Sequence, residues 1–184
     1  MRIFCSVLLF FLISAASAGG VKLAPGASLT DGVITFRNGS GYAEVRESEK
    51  FQAGKGLTIF AAVKLNRYKP VTGSGFDENK NIVYQHDMVV GKAGSFVFGR
   101  RSDAWVDQLY VNFFDGKKWC VPLRKTVATP KYGKWALWAV TLQPFFIREE
   151  GRKYTVVTTY LNGETVYREE VEGNPAESSS PVRW

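Results

Sequence analysis

The sequence predicts an all-β fold, a sandwich of two antiparallel sheets, on three observations. Apolar and polar residues alternate in many short segments divided by Gly, Pro, Asn and Asp, the period of half-buried strands. No stretch keeps apolar residues at helical spacing for three turns. Two hairpin signals, Asp115-Gly116 and Asn162-Gly163, each follow a segment rich in Val, Thr, Tyr and Phe, and such pairs accept the positive φ that tight type I′ turns require.

The N-terminus reads as a secretory leader. Met1-Arg2 supplies the charge, Ile3 to Ile13 a short apolar region, and Ala16-Ser17-Ala18 a small-residue cleavage site before Gly19. The apolar region falls short of the roughly 20 residues of a membrane span. Residues 1–18 are therefore set apart as signal peptide and 19–184 as one secreted domain, extracellular or periplasmic, with no membrane span. Cys5 leaves with the leader, so Cys120 stands alone and packing rather than a disulfide must hold the fold.

Strands are expected in order at Val33 to Phe36, Gly41 to Val45, Leu57 to Leu65, Ile82 to Tyr84, Met88 to Val90, Ser95 to Arg100, Trp105 to Phe114, Trp119 to Leu123, Trp135 to Leu142, Tyr154 to Leu161 and Thr165 to Val171. Most are dense in the β-branched and aromatic residues that suit a pleated, half-buried surface. Asn66 to Asn81 and Gln143 to Lys153 read as long loops able to carry binding residues. Trp135 and Trp138 are assigned to the core. Pro181-Val182-Arg183-Trp184 reads as the start of another strand, so the sandwich is expected to be truncated at its C-terminus, with further domains beyond Trp184.

Formal net charge is +7, one less without Arg2. The basic residues are spread and interleaved with acidic ones, without the compact basic run of a phosphate-tracking surface. Nucleic acid is not an expected partner.

The order of segments carries a resemblance. Leu57-Thr58-Ile59-Phe60-Ala61-Ala62-Val63-Lys64-Leu65 resembles the early strand of laminin G-like domains, Gly133-Lys134-Trp135 their Gly-x-Trp strand, Tyr160-Leu161-Asn162-Gly163-Glu164 their strand ending in an Asn-Gly turn, and Pro181-Val182-Arg183 the approach to the next strand. The resemblance implies a concanavalin A-like jelly roll, a frequent accessory module of secreted sialidases and other glycosidases. It also implies a glycan or glycoconjugate partner and calcium as an optional ligand, for which Asp77, Glu78 and Asp87 are the oxygen donors near the long loop. No cofactor is required.

Catalysis finds little support in the residues. The Glu-x-Asp-x-Glu strand of related glucanases, in which period two points three carboxylates to one face, is absent; Glu149-Glu150 and Glu169-Glu170 are adjacent and would point to opposite faces. Tyr84-Gln85-His86 offers residue types used by polysaccharide lyases, with His86 the sole histidine, and a lyase or hydrolase is the third reading. A single histidine and a single mature cysteine argue against zinc.

Binding finds more. On Trp105 to Phe114 the alternation puts Leu109, Val111 and Phe113 on one face and Gln108, Tyr110 and Asn112 on the other, so amides and a ring meet where a sugar offers hydroxyls and an apolar C–H face. Tyr160 holds a similar place on its strand, with Thr158 and Asn162, and Trp119 supplies a rim. The first expectation is thus a non-catalytic, lectin-like carbohydrate-binding module using Gln108, Tyr110, Asn112, Trp119 and Tyr160. The alternative is a protein-interaction or architectural sandwich, in which the same aromatic residues are ordinary cross-strand pairs.

Overall fold

A computed structural model of the chain describes residues 4–8, 22–31, 33–37, 42–45, 52–65, 85–102, 107–122, 131 and 133–183, with the backbone alone for 4–8, 37, 45, 85–87, 101–102 and 107. Among these residues fourteen strands follow one another: β1 (Phe4–Leu8), β2 (Lys22–Leu23), β3 (Ala27–Thr30), β4 (Val33–Arg37), β5 (Ala43–Val45), β6 (Leu57–Leu65), β7 (Gln85–Lys92), β8 (Phe96–Ser102), β9 (Asp107–Phe114), β10 (Trp119–Cys120), β11 (Trp135–Ile147), β12 (Arg152–Leu161), β13 (Glu164–Glu172) and β14 (Val182–Arg183). A 3-10 turn, Ala53–Lys55, precedes β6.

The first sheet runs β13-β12-β11-β6-β1-β4-β3 and the second β10-β9-β8-β7-β14-β5-β2. All described pairings are antiparallel. The all-β content agrees with the alternating pattern, but the jelly-roll, concanavalin A-like, lectin-type architecture does not. The layer opposite the first sheet falls into a four-stranded block, β10 to β7, and the two-stranded block β5-β2, tied among the described residues only by two residues of β14 on either side. None of these sheets closes or curls. A two-residue tie cannot enforce the continuous curvature that a jelly roll needs, and the glycan-binding expectation loses the support it drew from that fold.

The core lies between the layers. Alternate residues of β11 (Ala136, Trp138, Val140, Leu142) meet Leu109, Val111 and Phe113 of β9 and Phe96 and Phe98 of β8 in one buried cluster. Trp138, Phe98, Phe113, Leu142 and Val157 are fully enclosed, each contributing about 1.5–3 kcal/mol or more through lost apolar surface. Trp135 is not a core residue: 46 % exposed, it occupies the face opposite Trp138, because three positions along a strand reverse the side-chain direction.

Two connections differ from expectation. Gln143 to Lys153 is no long loop, since β11 continues to Ile147 and pairs with β12 through Ile147↔Arg152. Pro144 is accommodated because it lies past the last β6 partner, Leu142↔Leu57, where that side of β11 is an edge and a missing N–H leaves no ladder bond unmade. Asn162-Gly163 is the expected tight turn, with φ of 54° and 89°. At Asp115-Gly116 only the glycine has positive φ, and β9 and β10 are joined by the four residues Asp115 to Lys118. Asn66 to Asn81 and Ile82 to Tyr84 lie outside the described residues.

The segment read as a leader is also part of the first sheet. β1 pairs with β4 through Phe4↔Arg37 to Leu8↔Val33 and with β6 through Cys5↔Leu65 to Leu8↔Ala62. No helix among the described residues is long and apolar enough to cross a membrane.

Candidate functional site

The outer face of the second sheet is made by residues that alternate with its core positions. One row runs from Asn112 of β9 to Val97 of β8, Gly91 of β7, Arg183 of β14, Glu44 of β5 and Lys22 of β2, each opposite the next. The adjacent row runs from Tyr110 across Gly99 to Met88. Gly91 and Gly99, at the middle of the two rows, are both buried, and the Met88 sulfur lies 2.8 Å from where a Cβ at Gly91 would stand. A groove of about 330 Å³ lies here, walled by Met88, Val97, Trp119, Ser180, Pro181 and Arg183 around Gly91. That volume is at the lower end of the roughly 300–1,000 Å³ of small-ligand pockets.

Trp119 forms the wall on the β10 side. Half exposed, it leans on Phe114 with ring centroids 5.7 Å apart and planes at 55°, a tilted pairing that aromatic quadrupoles favour. The preceding turn fixes it. Asp115 Oδ1 accepts the backbone N–H groups of Lys117 and Lys118, both at 2.8 Å, while the Asp115 N–H donates to the Lys118 carbonyl at 3.0 Å. These backbone donors hold the Asp115 carboxyl below its ordinary range. Cys120, next in the strand, points inward; burial, then the neighbouring Asp115 charge, pushes its thiol up to about 11, which makes it a packing residue rather than a nucleophile.

Arg183 forms the opposite wall. Its Nε donates to Glu44 Oε2 at 3.0 Å and its guanidinium lies 4.7 Å from the centre of the Tyr42 ring. Half of the side chain remains exposed. Held between an ion pair and a ring, the guanidinium is pre-oriented, an arrangement suited to a carboxylate or sulfate. Beneath the groove, Lys92 is buried; desolvation lowers its ammonium pKa, and the Glu177 charge opposes that shift.

A second cleft, about 760 Å³, lies at one end of the layers among Lys117, Lys118, Arg152, Lys153, Asp115, Glu172 and Glu177. It offers no aromatic surface, and part of its charge is internally balanced, with Arg152 and Glu172 4.0 Å apart.

The five residues singled out in the sequence separate. Gln108, Tyr110 and Asn112 share a face opposite Leu109, Val111 and Phe113, but Gln108 and Tyr110 are 3 % and 8 % exposed and present no open platform. Gln108 Oε1 is buried without a hydrogen-bond partner among the described residues. Asn112 is half buried in the groove's row, and Trp119 lines the groove itself. Tyr160 belongs to the first sheet, opposite Ala139 and Thr165, and cannot join the others. Met88, Gly91, Tyr42 and Arg183 were missed; the one signal for them was the glycine in Val89-Val90-Gly91-Lys92.

His86 pairs with Arg101 in the backbone ladder, and its side chain lies outside the described residues, as do Asp77, Glu78 and the side chain of Asp87. Among the described residues, no three of His, Cys, Asp and Glu gather as metal ligands. Compared with known proteins, the chain matches no family model, no curated protein and no solved structure.

Proposed function

We propose that the chain is a secreted, non-catalytic module that binds a short glycan, preferably one bearing a carboxylate or sulfate, in the groove between Trp119 and Arg183. The observation that carries this reading is the pairing, across one glycine-floored groove, of a half-exposed indole with a half-exposed, ion-paired guanidinium. An indole packs against the C–H face of a sugar ring, a guanidinium donates to an anionic substituent, and Ser180 is available to a hydroxyl. The test is a glycan array including neutral, uronic, sialylated and sulfated members. Saturable binding to acidic members, weakened by Trp119→Ala, is expected; the absence of binding by a folded sample would overturn the reading.

A second reading, protein interaction, is favoured by the outer face of the first sheet. Phe60, Trp135 and Leu137 are 56 %, 46 % and 44 % exposed there, and neighbouring strands set Phe60, Ala139 and Tyr160 in one row. Clustered exposed apolar groups of this kind mark contact surfaces. Concentration-dependent association, abolished by Phe60→Ser with Trp135→Ser, would support this reading over the first.

A further inference from the structure

Strand β1 holds a singular place in the first sheet. It is the only strand hydrogen-bonded to both β4 and β6, and β3 pairs with β4 alone among the described residues. Without β1 the sheet divides into β13-β12-β11-β6 and the hairpin β3-β4. The sequence reads residues 1–18 as a cleaved leader, so the strand that joins the halves is one that export would remove.

We infer that the place of β1 is a strand-acceptor slot, and that after removal of the leader it receives an extended segment of a partner polypeptide. The inference rests on the leader reading. The slot has a definite chemistry. Position 5 stands between Phe36 and Leu65, and position 7 between Ile34 and Val63; all four flanking residues are buried core. Position 6 stands between the half-buried Thr35 and Lys64. The fitting segment therefore has at least five extended residues, apolar at the second and fourth, with a small hydroxyl or an acid at the third. It runs antiparallel to both neighbours.

Closure of the slot by β4 and β6 themselves is disfavoured. Both are antiparallel to β1, hence parallel to each other, and about two ladder spacings of 4.8 Å separate them. Pairing them would draw Ile34 and Phe36 out of the core rows they occupy. Every other described strand already lies in a ladder, leaving no spare one among the described residues to fill the gap. Two open edges facing one another across a core-lined gap are a template for strand addition from outside.

The test begins with the folded full chain carrying a protease site after Ala18. After cutting, a labelled synthetic peptide containing Phe4 to Leu8 between solubilising lysines is added. Saturable incorporation is expected, with amide exchange of Val33 to Arg37 at least tenfold faster when the slot is emptied and slowed again by the peptide. The same peptide with aspartate at the positions of Cys5 and Val7 should not enter. Failure of the apolar peptide to exchange in, or full protection of β4 and β6 with no strand bound, would overturn the inference. So would a secreted protein whose N-terminal residue is Met1 by mass spectrometry, because β1 would then be a permanent strand.

Discussion

The outer faces of the two sheets differ in what they can hold. The first is flat and aromatic, with Phe60, Trp135 and Leu137 exposed over paired strands. The second is indented at Gly91, in a groove whose walls combine an indole with a guanidinium. Area without shape supports association of low selectivity, whereas a groove with one apolar and one charged wall discriminates among small polar ligands. The assignment of function to the second sheet follows from that difference.

The sharpest way to break the comparison is to make the second face flat. A Cβ at Gly91 would meet the Met88 sulfur at 2.8 Å, the movable end of a flexible side chain, so Gly91→Leu should fold and fill the groove. Glycan affinity is expected to fall by more than tenfold, read by calorimetry beside a thermal melt that stays within a few degrees. Trp119→Ala removes the apolar wall and should cost about tenfold, equivalent to about 1.4 kcal/mol. Arg183→Gln should cost about fivefold for acidic glycans and little for neutral ones, and should abolish the dependence on ionic strength that a charged contact confers.

Acid should act through the turn that positions Trp119. Because the Asp115 carboxyl is held below its ordinary range, its contribution to stability is present above the unfolded-state value and is lost as pH falls through the folded one. Thermal melts at descending pH should show a small loss of stability that Asp115→Asn has already suffered at neutral pH. The smallest effect is expected on the opposite face: Phe60→Ser with Trp135→Ser should change glycan affinity less than twofold, and a larger change would merge the two faces into one site.

Local rules in the sequence were read well where the structure itself is local. The Asn162-Gly163 turn follows from backbone freedom at two residues, and the face assignment of Leu109, Val111 and Phe113 follows from period two. Period two also held a signal that passed unused, since Trp135 and Trp138, three apart, cannot share a strand face. Alternation tells which side a residue takes but not what covers it, so Gln108 and Tyr110 were placed on the correct face and their burial was not legible. Which strands become neighbours is set by packing over long sequence distances, and Tyr160 therefore fell in a different sheet from Trp119. The two-residue strands β2 and β14 are too short for any periodicity, and the jelly roll inferred from the order of segments failed at the two-residue tie through β14.

The burial of Tyr110 changes what its substitution means. Tyr110→Ala should destabilise the whole domain by about 3 kcal/mol, as loss of a buried aromatic does, instead of removing a ligand contact selectively; denaturant unfolding of the variant measures this.

The central claim is tested most directly by a two-dimensional NMR titration of the labelled chain with an acidic oligosaccharide selected on an array. The account predicts saturable shifts concentrated on Gly91, Val97, the Trp119 indole and Arg183, with Phe60 and Trp135 silent. Shifts concentrated on the first sheet, or none at saturating ligand, would contradict it.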